Sequence, residues 1–585
     1  SFSAFHSRFC DLHESCFPLK TFTPYQSRLK WLTPALKKSI KTKNELYSKS
    51  VRNPSNENTQ RYKHYKRTLR GLLRQAEKSF YDSEFTKYKS DLKKSWALIK
   101  QLINKNKSRQ LPGEFLVNDS LTSCPSTIAN AFNRHFVNVG PSLASKIPTV
   151  ASQNSDHHLD TVRAQPSSCV IVVSPEDVGD ILKNLKDSSP GWDNIIPKIL
   201  RATHASISLP LCRLISSSLQ HGIFPKELKI AKVIPLFKSG DHQSISNYRP
   251  ISVLSVFSKI FETVVTKSIT NFVEKYDILC KEQFGFRKSH STSHALNYFV
   301  DNVSNAIEKK EALVSVFLDL SKAFDTLNHR ILLDKLHAYG IRGSLHQWVA
   351  DFLSNRKQFI FFHSTKSNEL PVTCGVPQGS TLSPLLFLLY INDVINVSSC
   401  LKFIIFADDT SVFLSGKDIN QVINTLNIEL SKLYSWLCKN KLSLNINKTH
   451  CMIFNSQQSG PAPYINSQSI EKVSSSKFLG VTIDYKLRWD KHIAIIKSKI
   501  SKNIGAISKT RHLLSLSTLK VLYYSFVFPY LFYCVDVWGK AATCYLNSLL
   551  RLQKLCCRLI LNVPPRTESR PLFTHLKFLT ITNIY

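Results

Sequence analysis

Apolar positions along this chain change period several times, and each change predicts an element. Residues 28–110 hold few Gly or Pro among many Lys, Leu and Arg, which predicts helix, and Pro34 directly after Thr33 suits a capped first turn. The stretch 110–170 mixes Pro, Ser and Asn and predicts a loop-rich connection. SPEDVGDILKNL (174–185) offers Ser174 as N-cap, Pro175 at the first helical position and acids in the first turn. SSPGWDNIIP (188–197) reads as a turn and a short extended piece, and LCRLISSSLQHGIFP (211–225) as a buried helix.

Beyond residue 230 strands enter. AKVIPLFK (231–238) predicts a strand ending in a KSGD turn. SVLSVFSKIFETVVTKSITNFVE (252–274) has apolar residues at helical spacing, and ALVSVFLDL (312–320) is a short run rich in Val and Phe, hence a buried strand. SPLLFLLYINDVI (383–395) predicts a buried helix with Pro384 in its first turn, and KFIIFADDTSVFLS (402–415) two β-rich arms around an acidic turn. NTLNIELSKLYSWLCKNKL (424–442) predicts a helix, and LNINKTHCMIF (444–454) and FLGVTID (478–484) strands. Helices and strands mix without βαβ regularity and without a fixed repeat, so the class is α+β.

Composition narrows this further. Over 585 residues, 43% apolar and 11% aromatic content excludes disorder throughout, and the length suggests roughly three to four domains. The longest apolar runs, LLFLLYI (385–391) and FVFPYLFYCV (526–535), stop short of the roughly 18 residues a membrane span needs. The 14 Cys form no CxxC pair and no metal-type spacing with His, so they read as reduced, mostly buried thiols of an intracellular protein. The formal charge of +36 is uneven: residues 28–109 carry 23 Lys and Arg against 6 Asp and Glu, and residues 486–570 carry 15 against 3. Two basic blocks at the ends favour a polyanionic partner over merely solvated helical faces. Tyr62, Tyr65, Tyr81 and Tyr88 interleave with the first block and suit either stacking on bases or a buried helix stripe.

The candidate chemistry is acidic. In FADDT (406–410) two adjacent carboxylates sit between apolar arms, a costly arrangement unless a cation neutralises them. Asp319 ends the buried run at 312–320, and Asp325 follows six residues later. If the two strands are neighbours, Asp319, Asp408 and Asp409 make a three-carboxylate cluster of hard oxygen donors suited to Mg²⁺. Two such ions about 3.5–4 Å apart can clamp the attacking 3′-oxygen and the leaving pyrophosphate of an in-line displacement.

With these residues in place, the chain resembles the reverse transcriptases of non-LTR (LINE-like) retrotransposons, in the style of the jockey group. The matching segments run in family order: SSPGWDNIIP (188–197), AKVIPLFKSGDHQSISNYRPISVLSVFSKIFE (231–262), EQFGFRKSHST (282–292), FLDLSKAFDTLNH (317–329), GVPQGSTLSPLLFLLYINDV (375–394), FADDT (406–410), WLCKNKLSLNINKTH (436–450) and KFLGVTID (477–484). The resemblance implies a right-hand polymerase of fingers, palm and thumb, and RNA-templated DNA synthesis from a primer 3′-OH with dNTPs. It assigns metal binding to Asp319, Asp408 and Asp409, with two Mg²⁺ ions and Mn²⁺ as a substitute. Phe324 matches the steric gate against a ribose 2′-OH, besides its bland reading as core. Gln378 and Gly379 match the turn that meets nucleotide and template, Lys238 and Arg249 the positions that hold the triphosphate, and Lys448 a candidate proton donor to pyrophosphate or else a surface lysine.

These readings give a domain expectation: a basic helical template-binding extension at 1–112, a loop-rich connection at 113–187, fingers and palm at 188–485, and a helical thumb at 486–585. Expected partners are an RNA template, a DNA primer or target and dNTPs, with no membrane. The resemblance implies a nuclear site for target-primed synthesis and cytoplasmic assembly with RNA. Full elements of this kind carry an endonuclease upstream. None precedes the linker here, SDH at 155–157 is a chance echo of one, and a chain without an initiator Met is expected to be an internal fragment. The competing readings are a non-catalytic RNA-binding remnant of the same fold and a maturase-like splicing cofactor.

Overall fold

The apolar run at 312–320 becomes the central strand of the larger part of the molecule. A computed structural model describes residues 1–18, 31–88, 91, 94, 97–99, 112–148, 159, 162–455 and 460–585. The chain divides into two compact units, Ser1–Leu19 with Leu111–Ser476, and Lys20–Gln110 with Lys477–Tyr585. Helix and sheet are mixed, as the patterning implies.

The strands that matter in the first unit are β1 (Phe115–Val117), β2 (Ser120–Thr122), β3 (Ile230–Phe237), β4 (Tyr248–Val253), β5 (Ala312–Asp319), β6 (Arg356–Phe362), β7 (Lys402–Phe406), β8 (Asp409–Gly416), β9 (His450–Phe454) and β10 (Glu471–Lys472). Its main helices are α1 (Phe2–Cys16), α2 (Pro125–Ser145), α3 (Val256–Lys275), α4 (Ser383–Ile391) and α5 (Ile419–Lys439). One five-stranded sheet has the order β10-β9-β5-β8-β7, antiparallel except between β9 and β10. In its middle, β5 is buried along its whole length until the last residue, Asp319. A strand covered on both faces reads as a near-continuous apolar run rather than an alternation, and in β5 the small, fully buried Ser315 is the one polar residue before Asp319. α5 packs on β5 and β8, and the helix Thr292–Glu308 packs on β5 and β7.

A second sheet runs β4-β3-β6, with β3 antiparallel to β4 and parallel to β6. One face of β3 is covered and the other is open: Ala231 and Val233 are buried while Ile234 and Leu236 are exposed. The cover is α2, whose Ile128, Ala129, Phe132 and Phe136 join Phe115, Tyr248, Ile360 and Phe362 in one apolar cluster. This corrects the expected loop-rich connection at 113–187, since that segment holds the β1–β2 hairpin and a 21-residue helix. Ser, Asn and Arg on the helix's other face dilute the composition, and Pro125 sits at its start, where proline is tolerated, rather than breaking it.

The expected single extension at 1–112 is also divided. Phe2, Phe5 and Phe9 on α1 pack around Phe257 of α3, with ring centroids 6.0, 5.7 and 5.3 Å away. Apolar residues at this helical spacing seek a core, so α1 joins the first unit. Two strand expectations shorten. Of 444–454 only His450–Phe454 is strand, and 478–484 is interrupted by Leu479 and Gly480, both at positive φ, giving Ser475–Phe478 and Val481–Asp484.

In the second unit, the helices Pro34–Arg52 and Asn56–Lys87 pack together, and Thr33 Oγ1 accepts from the Leu36 amide as the capping pattern implied. Tyr81 is buried, whereas Tyr62, Tyr65 and Tyr88 are half-buried. Most of the helix expected over 89–110, and the SDH at 155–157, lie outside the described residues. Its longer C-terminal helices are Asp490–Thr510, Leu516–Phe526 and Thr543–Leu561, and the Ser515 amide donates to the Asp82 carboxylate at 3.0 Å. Gln553 is fully buried among them. Its amide donates to the Tyr523 hydroxyl and the Leu579 carbonyl, and its carbonyl accepts from the Ile581 amide. Among the described residues no helix is long and apolar enough to cross a membrane.

Phe132 is fully buried, 5.1 Å from the Phe115 ring and 5.2 Å from that of Tyr248. Phe132→Ala is expected to destabilise the first unit by about 3–5 kcal/mol in denaturant unfolding. A loss below about 1 kcal/mol would contradict the packing of α2 on the second sheet.

Candidate active site

The register between β5 and β8 places Asp319 directly opposite Asp409. Antiparallel geometry sets such partners about 4.5–5.5 Å apart at Cα. Asp408 belongs to the two-residue connection Ala407-Asp408 that joins β7 to β8, with Phe406 and Asp409 paired across it. One strand pairing and one tight turn therefore place the three acidic residues next to one another along the backbone.

That turn carries strain. Ala407 sits at φ 57, a left-handed conformation that costs an alanine about 1–2 kcal/mol. The segment Glu282–Gly285 holds it there. The Ile405 amide donates to the Glu282 carbonyl at 2.9 Å, and the Phe284 amide to the Ile405 carbonyl at 2.8 Å. The side-chain oxygen of the buried Gln283 accepts from the amides of Gly285 (2.8 Å) and Ala407 (3.3 Å). A Cβ on Gly285 would lie 2.5 Å from the Ala407 nitrogen, so only glycine lets the two backbones approach. Asp319 is fixed from its other flank. Its amide donates to Thr449 Oγ1 at 3.3 Å, and its carbonyl accepts from the Asn445 amide at 2.8 Å.

The carboxylates feel one another. Partial burial pushes the Asp409 pKa up, and the charges of Asp408 and Asp319 push it further in the same direction. Among the described residues no three His, Cys, Asp or Glu side chains are gathered closely enough to hold a metal ion, so convergence here is of backbone register and not of side-chain tips. The donor set is nevertheless all carboxylate oxygen with mutual repulsion that a divalent cation relieves, and its chemistry fits such an ion.

All nine residues singled out from the sequence line one cavity of about 1430 Å³. Lys238 follows β3, where its amide closes the hairpin onto the Asn247 carbonyl, and Arg249 lies on β4 opposite Leu236. Both side chains are exposed, as is Lys448. Phe324 is half-buried and stacks on Phe387 at 4.6 Å, so its ring is anchored in the core while it lines the cavity. Gly379 stands at φ 137 with the Ser252 oxygen 2.2 Å from where a Cβ would be, which no other residue fits. Gln378 Nε2 donates to Asp325 Oδ1 at 2.8 Å.

Several cavity residues escaped the sequence reading. Burial pushes Asp325 up to about 6, against the opposing pull of its Gln378 hydrogen bond and of Lys322. Lys322 is lowered by burial, raised by Asp325, and lowered again by Lys238 and Arg249, so three cations crowd together. Arg134 and His135 reach the cavity from α2, a helix that the Pro, Ser and Asn content of 110–170 conceals. Asp325 and Lys322 were visible in FLDLSKAFD, but nothing local marks them as buried. Gln283, which holds the Ala407 turn and does not line the cavity, offers no signal beyond its place in EQFGF.

Residues 238–483 match the family model described as reverse transcriptase (RNA-dependent DNA polymerase). The chain is 28% identical over 411 residues to the probable RNA-directed DNA polymerase from transposon X-element of Drosophila melanogaster, covering 68% of this chain and 45% of that protein. It is 30% identical over 426 residues to the RNA-directed DNA polymerase from mobile element jockey of the same species, covering 71% and 46%. Against the probable RNA-directed DNA polymerase from transposon BS, identity is 25% over 544 residues, or 88% of this chain and 58% of that protein. The chain thus spans about half the length of the curated relatives it matches.

Asp325 gives the site a pH signature. The folded chain keeps this proton up to about pH 6, whereas an ordinary Asp loses it near 3.8. Between those values the folded state binds more protons, so stability falls as pH rises, and the full penalty stands above the upper one. Asp325→Asn keeps an acceptor for Gln378 and removes the charge. It is expected to stabilise the first unit by up to about 3 kcal/mol at pH 7.5 and by almost nothing near pH 3.5. An equal gain at both pH values in denaturant unfolding would contradict the assignment.

Proposed function

We propose that this chain, which carries a reverse transcriptase domain of the non-LTR, jockey-like kind, is an RNA-directed DNA polymerase that extends a primer 3′-OH with dNTPs on an RNA template. The observation that carries the reading is the cross-strand pair Asp319 and Asp409 with Asp408 in the joining turn, lining a cavity that also holds Lys238, Arg249 and Lys322. Acids for a cation and cations for a polyphosphate, side by side in one cavity, are what nucleotidyl transfer needs.

The roles are those that the family resemblance assigns to these positions, and side-chain chemistry is consistent with each. Asp319 and Asp408 would hold the divalent ions, with Asp409 more peripheral. Two Mg²⁺ ions, or Mn²⁺ in their place, would supply Lewis-acid charge for nucleotidyl transfer when bound. Lys238 and Arg249 bind the triphosphate, Arg249 with the option of two parallel hydrogen bonds. Phe324, its ring fixed by Phe387, excludes a ribose 2′-OH by clash. Gln378 and Gly379 seat the nucleotide and template, and Lys448 donates a proton to pyrophosphate. Residues 188–485 act as fingers and palm and 486–585 as thumb. The basic helices within 34–87 bind template RNA, with a steep loss of affinity as salt rises. The DNA primer is a nicked chromosomal target, so synthesis is nuclear and follows cytoplasmic assembly with RNA.

Asp408→Asn is expected to lower nucleotide addition on the order of 10³-fold or more in primer extension, with RNA affinity nearly unchanged. Equal loss of both would make the residue structural, and a wild-type chain that binds RNA without adding nucleotides would support the remnant reading. Phe324→Val is expected to admit ribonucleotides. Unchanged sugar discrimination would remove the gate assignment.

A further inference from the structure

The turn bearing Gln378 and Gly379 is held from behind by a carboxylate that no step above uses. Glu262 lies on α3 with its side chain fully shielded from solvent. Its Oε2 accepts hydrogen bonds from the Ser380 hydroxyl and the Thr381 amide, both at 2.6 Å. Its Oε1 accepts from the Ser258 hydroxyl at 2.6 Å, one helical turn earlier. Ser380 Oγ in turn accepts from the amides of Leu382 and Ser383, each at 3.1 Å, and so caps the start of α4. The carboxylate therefore stands at a helix N-terminus, where the macrodipole favours an anion. Burial lowers Arg356 to about 10 and the Glu262 charge pulls it back up, so the two buried charges oppose one another's desolvation.

A buried carboxylate is expensive and persists only where its lone pairs are satisfied. An apolar side chain at position 262 would fill the space at lower cost, yet it would leave the Ser380 hydroxyl and the Thr381 amide without an acceptor. The opposite side of the same turn is pinned as well. The Ser252 amide donates to the Gln378 carbonyl at 2.8 Å, and Gly379 leaves no room for a Cβ against the Ser252 oxygen. A third hold is lateral, from Asp325 to the Gln378 side chain. The turn is thus clamped between β4 and α3.

We infer that Glu262 is the positioning residue of the Gln378–Gly379 turn and sets where the incoming nucleotide is seated. The inference rests on the nucleotide-binding role proposed for that turn. Glu262 touches neither nucleotide nor metal, and it acts by fixing the backbone that does.

Glu262→Gln keeps the shape but removes the charge, so the hydrogen bonds that hold the Ser380 hydroxyl and the Thr381 amide lose their charge assistance, while the Ser258 hydroxyl can turn to accept from the new Nε2. Two readouts are compared in the full chain. Hydrogen exchange of residues 376–382 is expected to rise about tenfold, with exchange in β5 and β8 unchanged. The KM for dNTP is expected to rise about tenfold, with kcat within about twofold and primer–template affinity intact. Ser380→Ala, a milder change, is expected to give the same split at about threefold and to be non-additive with Glu262→Gln. A uniform rise in exchange across the first unit, or a fall in kcat at constant KM, would overturn the inference, as would unchanged exchange. A wild-type chain that adds no nucleotide while the turn still loosens in Glu262→Gln would overturn the polymerase reading and uphold the clamp.

Discussion

Repulsion among like charges at the wet end of a dry strand is the constraint to which the first unit is built. β5 is enclosed until its last residue, and that residue is an aspartate facing the first residue of β8 across the ladder. Strand register is all-or-none, since a slip of one residue moves every side chain to the other face. Because β5 and β8 are packed, the apolar core fixes the register, and the register fixes the acids. Hydrophobic burial, which is not directional, is converted into a fixed position for three charges that would otherwise separate.

The turns around this sheet end are held by buried polar side chains acting on backbone. Gln283 bonds the amides of Gly285 and Ala407, and Glu262 those of Thr381 and, through Ser380, the start of α4. Both residues are almost wholly shielded, and both stabilise a conformation that would be unfavourable alone: a left-handed alanine in one case, and a glycine crowded by a carbonyl in the other. Such devices give a rigid frame for chemistry at the price of some stability. The cations are arranged differently. Lys238 and Arg249 lie on the open β3–β4 hairpin with exposed side chains, free to follow a charged ligand.

Much of the central sheet was legible. A run such as ALVSVFLD, too short for a helix and rich in β-branched and aromatic residues, leaves few alternatives to a buried strand, and FIIF and SVFL flank an obvious turn. The nine site residues are those that the family resemblance assigns, and all of them line one cavity. What failed to show was non-local. α2 is amphipathic, but its Ser, Asn, Arg and His residues made 110–170 look like loop until the β4-β3-β6 sheet supplied a surface for Phe132 and Phe136. Glu262, Gln283 and Asp325 are polar residues whose meaning lies in partners 118, 124 and 53 positions away. No window of sequence contains such a pair. The 1–112 boundary failed for the same reason, because the aromatic stripe of α1 finds its partner on α3.

The account stands or falls on whether the three acids act as ligands of one site. The most direct measurement is Mn²⁺ binding, followed by electron paramagnetic resonance, on the chain with a chain-terminated primer, template RNA and the next dNTP. The account predicts two bound ions per chain, and loss of at least one of them in Asp319→Asn with nucleic-acid binding preserved. Undiminished Mn²⁺ binding in that variant would contradict it.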